Sequence, residues 1–310
     1  MRIIFMGTPD FAVGTLDALV EAGHEVVLAV TQPDKPQGRK QQMVAPPVKE
    51  RALELGIPVF QPQRVREPES LKVLKDYEPE LIVVAAFGQI LPKELLDMPP
   101  YGCINVHASL LPKYRGAAPI QWSILNGDAV TGVTIMRMDV GLDTGDMITK
   151  AEVEILPEDT GGSLFDRLAA VGASLCVETI PSIVDGSAVY TPQDEALATK
   201  VGQISKKDGE IDFTRSAKQI ACQVRGLNPW PSAYTFLNGK TLKIWSAKVR
   251  EEQTDAEVGT VVCIEKDGFG VQTGEGILMC TEVQLEGKKR MSAGDFLRGN
   301  VLKQGDVLKK

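Results

Sequence analysis

The chain has 310 residues, 43% hydrophobic and 24% charged, with a formal net charge of −7. That length allows two domains with a full core, and the acidic balance argues against a protein that coats a polyanion with its whole surface. Five widely spaced cysteines (Cys103, Cys176, Cys222, Cys263 and Cys280) without a C-x-x-C fit reduced thiols rather than a disulfide framework or a zinc site.

The first strand starts at Arg2, which leaves no room for a signal segment, and no apolar run approaches the ~20 residues of a membrane span. A cytoplasmic protein with no membrane contact is expected. Residues 2–6 read as a short buried strand, and Gly7-Thr-Pro-Asp-Phe11 turns into a helix that ends at Gly23. Thr8 is placed to cap it, Pro9 suits its first position, and Asp10 complements the positive helix end. His24 falls in the next turn, a surface position. The strand 25–31 completes a βαβ unit and hence a parallel sheet. Gly7-Thr-Pro lacks the G-x-G-x-x-G spacing, so a dinucleotide site is rejected.

Residues 33–47 form a polar loop carrying Lys35, Arg39 and Lys40 against Asp34. It leaves the carboxyl end of the second strand, the edge where open α/β sheets bind ligands. Its length fits either a solvated connection or a functional loop. Helices near 48–55 and 69–77, a short strand near Val59 and a strand at 81–87 continue the alternation.

The stretch from Gly102 to Pro119 organises the chain. Cys103, Ile104 and Val106 are strand-forming, and Asn105 and His107, two apart among them, point to one face. His107 is one of only two histidines. A hydrogen-bonded core pair and a site fit the strand about equally well. Ser109-Leu-Leu-Pro112 then breaks the strand, with backbone groups outside any ladder that can meet a flat polar ligand. Residues 117–126 read as a helix and 132–139 as a strand, followed by Val140-Gly-Leu-Asp-Thr-Gly-Asp146. Asp143 there is either a turn cap or the partner of His107, and Asp139, Asp143 and Asp146 miss the 1-3-5 spacing of a calcium loop. A strand at 147–155 and an amphipathic helix at 163–184 close a domain spanning 1–189.

Residues 190–207 show no periodicity and read as a linker. Beyond them the domain 208–310 opens with a helix at 216–226, then turns to strands. Asn238-Gly239 and Asp267-Gly268 mark two hairpins, a strand at 277–285 follows, and a helix at 293–298 comes last. Short antiparallel strands of this kind suggest a small barrel of the OB type. Residues 206–310 carry a small basic excess, so the net negative charge rests on residues 1–205. The C-terminal third is therefore the better contact for a polyanion. The expected fold class is α/β: a Rossmann-like, mostly parallel sheet with helices on both faces, plus a smaller antiparallel β-barrel domain.

Asn105-Val-His107, Ser109-Leu-Leu-Pro112, Arg115-Gly-Ala-Ala-Pro119 and Asp139-Val-Gly-Leu-Asp-Thr-Gly-Asp146 closely resemble the 10-formyltetrahydrofolate-dependent formyltransferases. Gly7-Thr-Pro-Asp-Phe11, Thr31-Gln-Pro-Asp34 and Asn228-Pro-Trp-Pro231 are similar to the branch that acts on methionyl-tRNA. The resemblance implies formyl transfer from 10-formyltetrahydrofolate to the α-amino group of initiator methionyl-tRNA, with Asn105, His107 and Asp143 catalytic. It further implies that Ser109, Leu110, Leu111 and Pro112 meet the folate and that the C-terminal barrel holds tRNA. A monomer is expected. The basic loop with Lys35, Arg39 and Lys40 is expected to close on the acceptor end. A small-amine acceptor (a sugar nucleotide or glycinamide ribonucleotide) and a non-enzymatic tRNA- or folate-binding protein remain the alternatives. His107 suits proton handling at neutral pH, Asp143 could fix its tautomer, and Asn105 offers an oxyanion donor. The chemistry needs no metal and no covalent nucleophile.

Overall fold

The computed structural model describes residues 1–37, 41–299 and 302–309. The chain divides into two compact units, residues 1–119, 130–154 and 165–201 in the first and residues 120–129, 155–164 and 202–310 in the second.

In chain order the first part runs β1 (Arg2–Gly7), α1 (Asp10–Glu21), β2 (Glu25–Val30), β3 (Lys35–Gln37), β4 (Gln42–Val44), α2 (Pro47–Glu54) and β5 (Val59–Phe60). It continues through α3 (Pro68–Asp76), β6 (Leu81–Ala85), α4 (Lys93–Leu96), β7 (Cys103–His107), β8 (Arg115–Gly116), α5 (Pro119–Leu125), β9 (Val130–Arg137), β10 (Met147–Glu154), α6 (Gly161–Val184) and β11 (Lys200–Val201). Sheet order is β10-β9-β7-β6-β1-β2-β5. The five strands from β7 to β5 are parallel, and β9 and β10 run antiparallel at one edge. The central strands are apolar on both faces, as helices on both sides require. The chain leaves β1 first toward β2 and later returns to its other side with β6. The carboxyl ends of β1 and β6 therefore flank the topological switch point, where such sheets bind ligands.

One face packs Ile4, Met6, Leu28, Ile82, Val84 and Cys103 with the side chains of α3 and α4. The opposite face takes α6, and it does so at a small residue. A Cβ on Gly172 would come within 2.8 Å of Val106 and 3.4 Å of Val133, so glycine lets the helix approach the sheet. By length and composition α6 is the one described helix apolar enough to cross a membrane, a feature absent from the expectations above. Here its Leu168, Cys176 and Ile180 are buried in the unit.

Three local expectations are corrected. Thr8 does not cap α1: the helix begins after Pro9, with no side-chain cap. Its hydroxyl instead donates to Phe87 O (3.1 Å) and accepts from Gln32 N (3.3 Å), tying together the loops after β1, β2 and β6. The loop 33–47 is not structureless, because β3 and β4 pair as an antiparallel ribbon. The segment 190–207 is not a simple linker either. Residues 190–201 belong to the first unit, where β11 pairs parallel with β8.

The second unit contains α7 (Ala217–Gly226), β12 (Ala233–Leu237), β13 (Lys240–Arg250), β14 (Val261–Glu265), β15 (Gly268–Gln272), β16 (Ile277–Leu285), β17 (Met291–Ser292) and α8 (Ala293–Arg298). Its antiparallel sheet runs β12-β13-β16-β15-β14, with β17 beside β16. Asn238-Gly239 forms the first hairpin turn, as expected; Asn238 (φ +50°) and Gly239 (φ +74°) both adopt the left-handed backbone of a type I′ turn. The second turn is Lys266-Asp267, one residue earlier than expected, because Gly268 already pairs with Glu265. Ile220, Val224, Leu242, Phe269, Val283 and Phe296 share one core.

Burial raises the Cys103 and Cys176 thiols to about 12 and pushes Cys280 higher still. At pH 8 a pKa near 12 leaves a thiolate fraction of about 10⁻⁴. A disulfide reagent should therefore label half-buried Cys263 first and reach these three only on unfolding. Rapid labelling of Cys103, Cys176 or Cys280 in the folded protein would contradict that burial.

Candidate active site

β7 carries Asn105 and His107 on the same face as Cys103. α4 is a single turn whose Leu95 and Leu96 carbonyls lie over the Cys103 sulfur, and beyond it the face turns polar. β9 lies alongside, with Met136 opposite Asn105 and Thr134 opposite His107. Leu111, Met136 and Met147 form a small apolar cluster beside them.

Asn105 is 9% exposed and His107 is 6% exposed. Their bonding differs. His107 Nε2 lies 3.0 Å from Tyr114 O, and since a carbonyl only accepts, Nε2 carries the proton. His107 Nδ1 faces Asp143 Oδ1 at 3.8 Å. The tautomer is thus set by the Tyr114 carbonyl rather than by Asp143, which corrects the expectation above. The Asn105 amide has no hydrogen bond to any described residue. Its amide atoms are not sealed from solvent, so water can meet them until a ligand does.

The backbone around the pair is strained. Tyr114 (φ +60°), Ala118 (φ +59°) and Asp143 (φ +53°) all lie in the left-handed region, each at a cost of roughly 1–3 kcal/mol. Asp143 Oδ2 accepts from Gly116 N at 2.7 Å. Gly116 has φ +103°, and a Cβ there would sit 2.5 Å from Val201 O, so only glycine brings that N–H to the carboxylate.

Of the candidate residues, the structure brings Asn105, His107 and Asp143 together. The Ser109–Pro112 segment follows directly, but its backbone is largely committed. Leu111 N donates to Thr134 Oγ1 (3.1 Å), Thr134 Oγ1 donates to Ser109 O (2.7 Å), and Lys150 donates to Leu111 O. The expectation of free backbone groups fails for the carbonyls of the whole segment, because Leu110 O accepts from Lys113 N (3.1 Å) and Pro112 O from Thr199 N (3.2 Å) as well. Leu110 and Pro112 remain half-buried. Desolvation lowers the Lys150 ammonium below its ordinary value. Lys35 is exposed at the base of the ribbon, while Arg39 and Lys40 lie outside the described residues.

Two features carry no signal in the sequence. One is a cleft of about 510 Å³ lined by Gln32, Gln63, Arg64, Arg66, Gly88, Gln89, Ile90 and Pro92, spanning the carboxyl ends of β2, β5 and β6. Its two arginines follow the short strand β5 and carry no local motif. The other is the Arg115 side chain, 1% exposed, with Nε donating to Gln193 Oε1 (2.9 Å) and both terminal nitrogens donating to Glu195. Arg115 holds the Glu195 carboxyl below the ordinary carboxylate range. Arg115 stands in one of the motifs quoted above, but nothing local identifies its partners 78 and 80 residues away.

A formyl transferase model matches residues 1–180, and a formyl transferase C-terminal domain model matches residues 203–301. The chain belongs to the formyl transferase family. Among formyl transferases of known name, the chain is 61% identical over 305 residues to methionyl-tRNA formyltransferase of Agathobacter rectalis, covering 98% of each chain. It is 54% identical to the methionyl-tRNA formyltransferase of Bacillus subtilis, covering 99% of this chain and 97% of the relative. Solved structures are more distant. The N-formyltransferase of Helicobacter canadensis, in complex with folinic acid and dTDP-3-aminofucose, matches with TM-score 0.66 at 19% identity over 90% of this chain and 98% of that one. HypX from Aquifex aeolicus, in complex with tetrahydrofolic acid, matches with TM-score 0.64 at 17% identity over 98% of this chain and 48% of that one. At such identities these two share the fold alone.

Proposed function

We propose that the chain transfers the formyl group of 10-formyltetrahydrofolate to the α-amino group of initiator methionyl-tRNA. The observation that carries this reading is the Asn105 amide, committed to no described residue and still open to solvent, beside His107 and Asp143. Such a group is placed to donate to a ligand that displaces water from it. Full-length identity to methionyl-tRNA formyltransferases supports the choice of acceptor.

The donor is consumed as a substrate; when bound, it supplies the formyl carbon and a leaving nitrogen. His107 Nδ1 takes the proton that the attacking amine must lose and returns it to the leaving nitrogen, so the step balances without a further acid or base. Asp143 Oδ1 lies on the Nδ1 side and stabilises the imidazolium between those transfers. Asn105 donates to the oxyanion of the tetrahedral intermediate. Leu110 and Pro112 offer the donor an apolar contact.

The cleft suits the anionic tail of a folate, since Arg64 and Arg66 line it together with three glutamines. Arg64→Ala and Arg66→Ala should raise KM for the donor by roughly 10-fold each with kcat little changed, as loss of uniform binding does. Steady-state kinetics with the donor varied measure this; an unchanged KM in both variants assigns the cleft elsewhere.

The second unit is proposed to hold the tRNA. Its sheet carries Trp245, whose ring lies 5.5 Å from the Lys243 ammonium and 4.6 Å from the Arg290 guanidinium, the latter paired with Glu282. An aromatic side chain beside cations is of the kind that contacts nucleic acid. Formylation assays with methionyl-tRNA, a dTDP-amino sugar and glycinamide ribonucleotide test the acceptor. A higher kcat/KM for either small amine would overturn the tRNA reading.

A further inference from the structure

We infer that Gln193 is a positioning residue that sets the Asp143 carboxylate against His107, and that the segment 191–201 acts as a buckle across the catalytic pair. The inference rests on the active-site reading above.

Asp143 stands in a left-handed backbone conformation within residues 138–146, a loop without regular structure whose Val140 and Leu142 side chains are exposed. The Gln193 amide nitrogen donates to Asp143 O and to Gly145 O, both at 2.8 Å. One side-chain amide thus uses both N–H bonds on the peptide carbonyls flanking Thr144. Its oxygen accepts from Arg115 Nε (2.9 Å), so all three bonds restrain the orientation of the amide.

Arg115 in turn is clamped by Glu195, and its own backbone N donates to Thr199 O at 2.8 Å. Tyr114 N donates to Thr199 Oγ1 at 2.8 Å. Tyr114 also supplies the carbonyl that holds His107 Nε2. Both sides of the imidazole, the Tyr114 carbonyl and the Asp143 carboxylate, are therefore tied to the one segment 191–201. Thr191 closes its near end through two backbone bonds with Met147, each 2.9 Å.

Gln193 touches neither reacting group, so its effect must travel through the Asp143 backbone. The elements round His107 carry Asp139, Asp143 and Asp146 on the loop, Arg137 at the end of β9, Lys113 and Arg115 after β7, and Lys150 on β10. Gln193 is uncharged, so its replacement by Ala changes Asp143 placement without changing that charge set.

The test compares Gln193→Ala with Gln193→Glu. The glutamate keeps an acceptor for Arg115 but has no donor for the two carbonyls. Both variants should lose roughly 10- to 30-fold in kcat, with KM for donor and tRNA within about twofold. With only two histidines in the chain, the His107 imidazole resonance can be followed directly by NMR. A retracted carboxylate stabilises the imidazolium less, so the His107 titration midpoint should fall in Gln193→Ala, together with the acidic limb of kcat/KM. Gln193→Glu adds a negative charge that opposes this fall and is therefore read by kcat alone. Folded Gln193→Ala with the wild-type His107 midpoint and wild-type kcat would overturn the inference. So would a loss of activity that matches the loss of folded protein with the midpoint unmoved. If neither variant folds, Gln193→Asn, which retains the donors on a shorter arm, gives the same reading of the midpoint. The NMR arm needs no turnover, so it separates failure of the positioning role from failure of the proposed reaction.

Discussion

Replacing Asn105 or His107 by Ala is expected to lower kcat by roughly 100-fold or more while the protein remains folded. For Asn105 the magnitude follows from the oxyanion contact, since one such donor contributes about 3 kcal/mol to the transition state. The stability of Asn105→Ala should change little. Its amide makes no hydrogen bond to a described residue, so truncation leaves no protein partner stranded. Thermal unfolding should show a midpoint close to the wild type, the mark of a residue kept for function rather than stability. His107→Ala differs, because it strands the Tyr114 carbonyl that now receives Nε2–H, at a cost of on the order of 1 kcal/mol. Asp143→Asn should lose rate as well, since an amide cannot stabilise the imidazolium as a carboxylate does. Near-normal turnover in folded Asn105→Ala or His107→Ala would remove the pair from the mechanism.

The parts of this site legible in the sequence are those that depend on local periodicity. Asn105 and His107 stand out because period-2 alternation places two polar residues on one face of an otherwise apolar strand. The parallel sheet is legible for a similar reason: short apolar strands alternate with helices whose buried stripes recur at helical spacing, such as Phe11, Ala12, Thr15, Leu16 and Leu19 in α1. The ribbon β3–β4 is not, because it buries nothing that marks a strand; its Met43 and Val44 are exposed. Nor is the pairing of β8 with β11, which joins two residues to two through backbone alone and imposes no side-chain pattern. Gln193 is the hardest case. Its bonds go to main-chain carbonyls 48 and 50 residues earlier, and any residue type can supply a carbonyl. The tautomer of His107 is illegible on the same ground, because a Tyr114 backbone oxygen and not the loop aspartate binds its protonated nitrogen.

Removing the loop charges together, in Lys35→Ala/Arg39→Ala/Lys40→Ala, should cut kcat/KM for methionyl-tRNA by roughly 100-fold at low salt and leave the donor KM unchanged. Each cation that meets a phosphate contributes a slope of about −0.7 to −0.9 in a plot of log affinity against log salt concentration. With all three cations gone the slope should flatten by roughly 2 to 3, and the variant should approach the wild type as salt rises. Lys49 donates to both Asp34 oxygens at 2.8 Å, and Gln61 donates to Asp34 Oδ1 at 2.8 Å, so the ribbon is anchored at its base. The Lys49 contact holds the Asp34 carboxyl below its ordinary value. With Asp34 paired to Lys49, the loop's cations have no acid in the loop itself to neutralise them. Lys35 next to it is exposed. The competing view treats the ribbon as a solvated connection whose charge is incidental. That view expects the triple variant to keep the wild-type salt slope with methionyl-tRNA, because incidental cations release no counterions when the substrate binds.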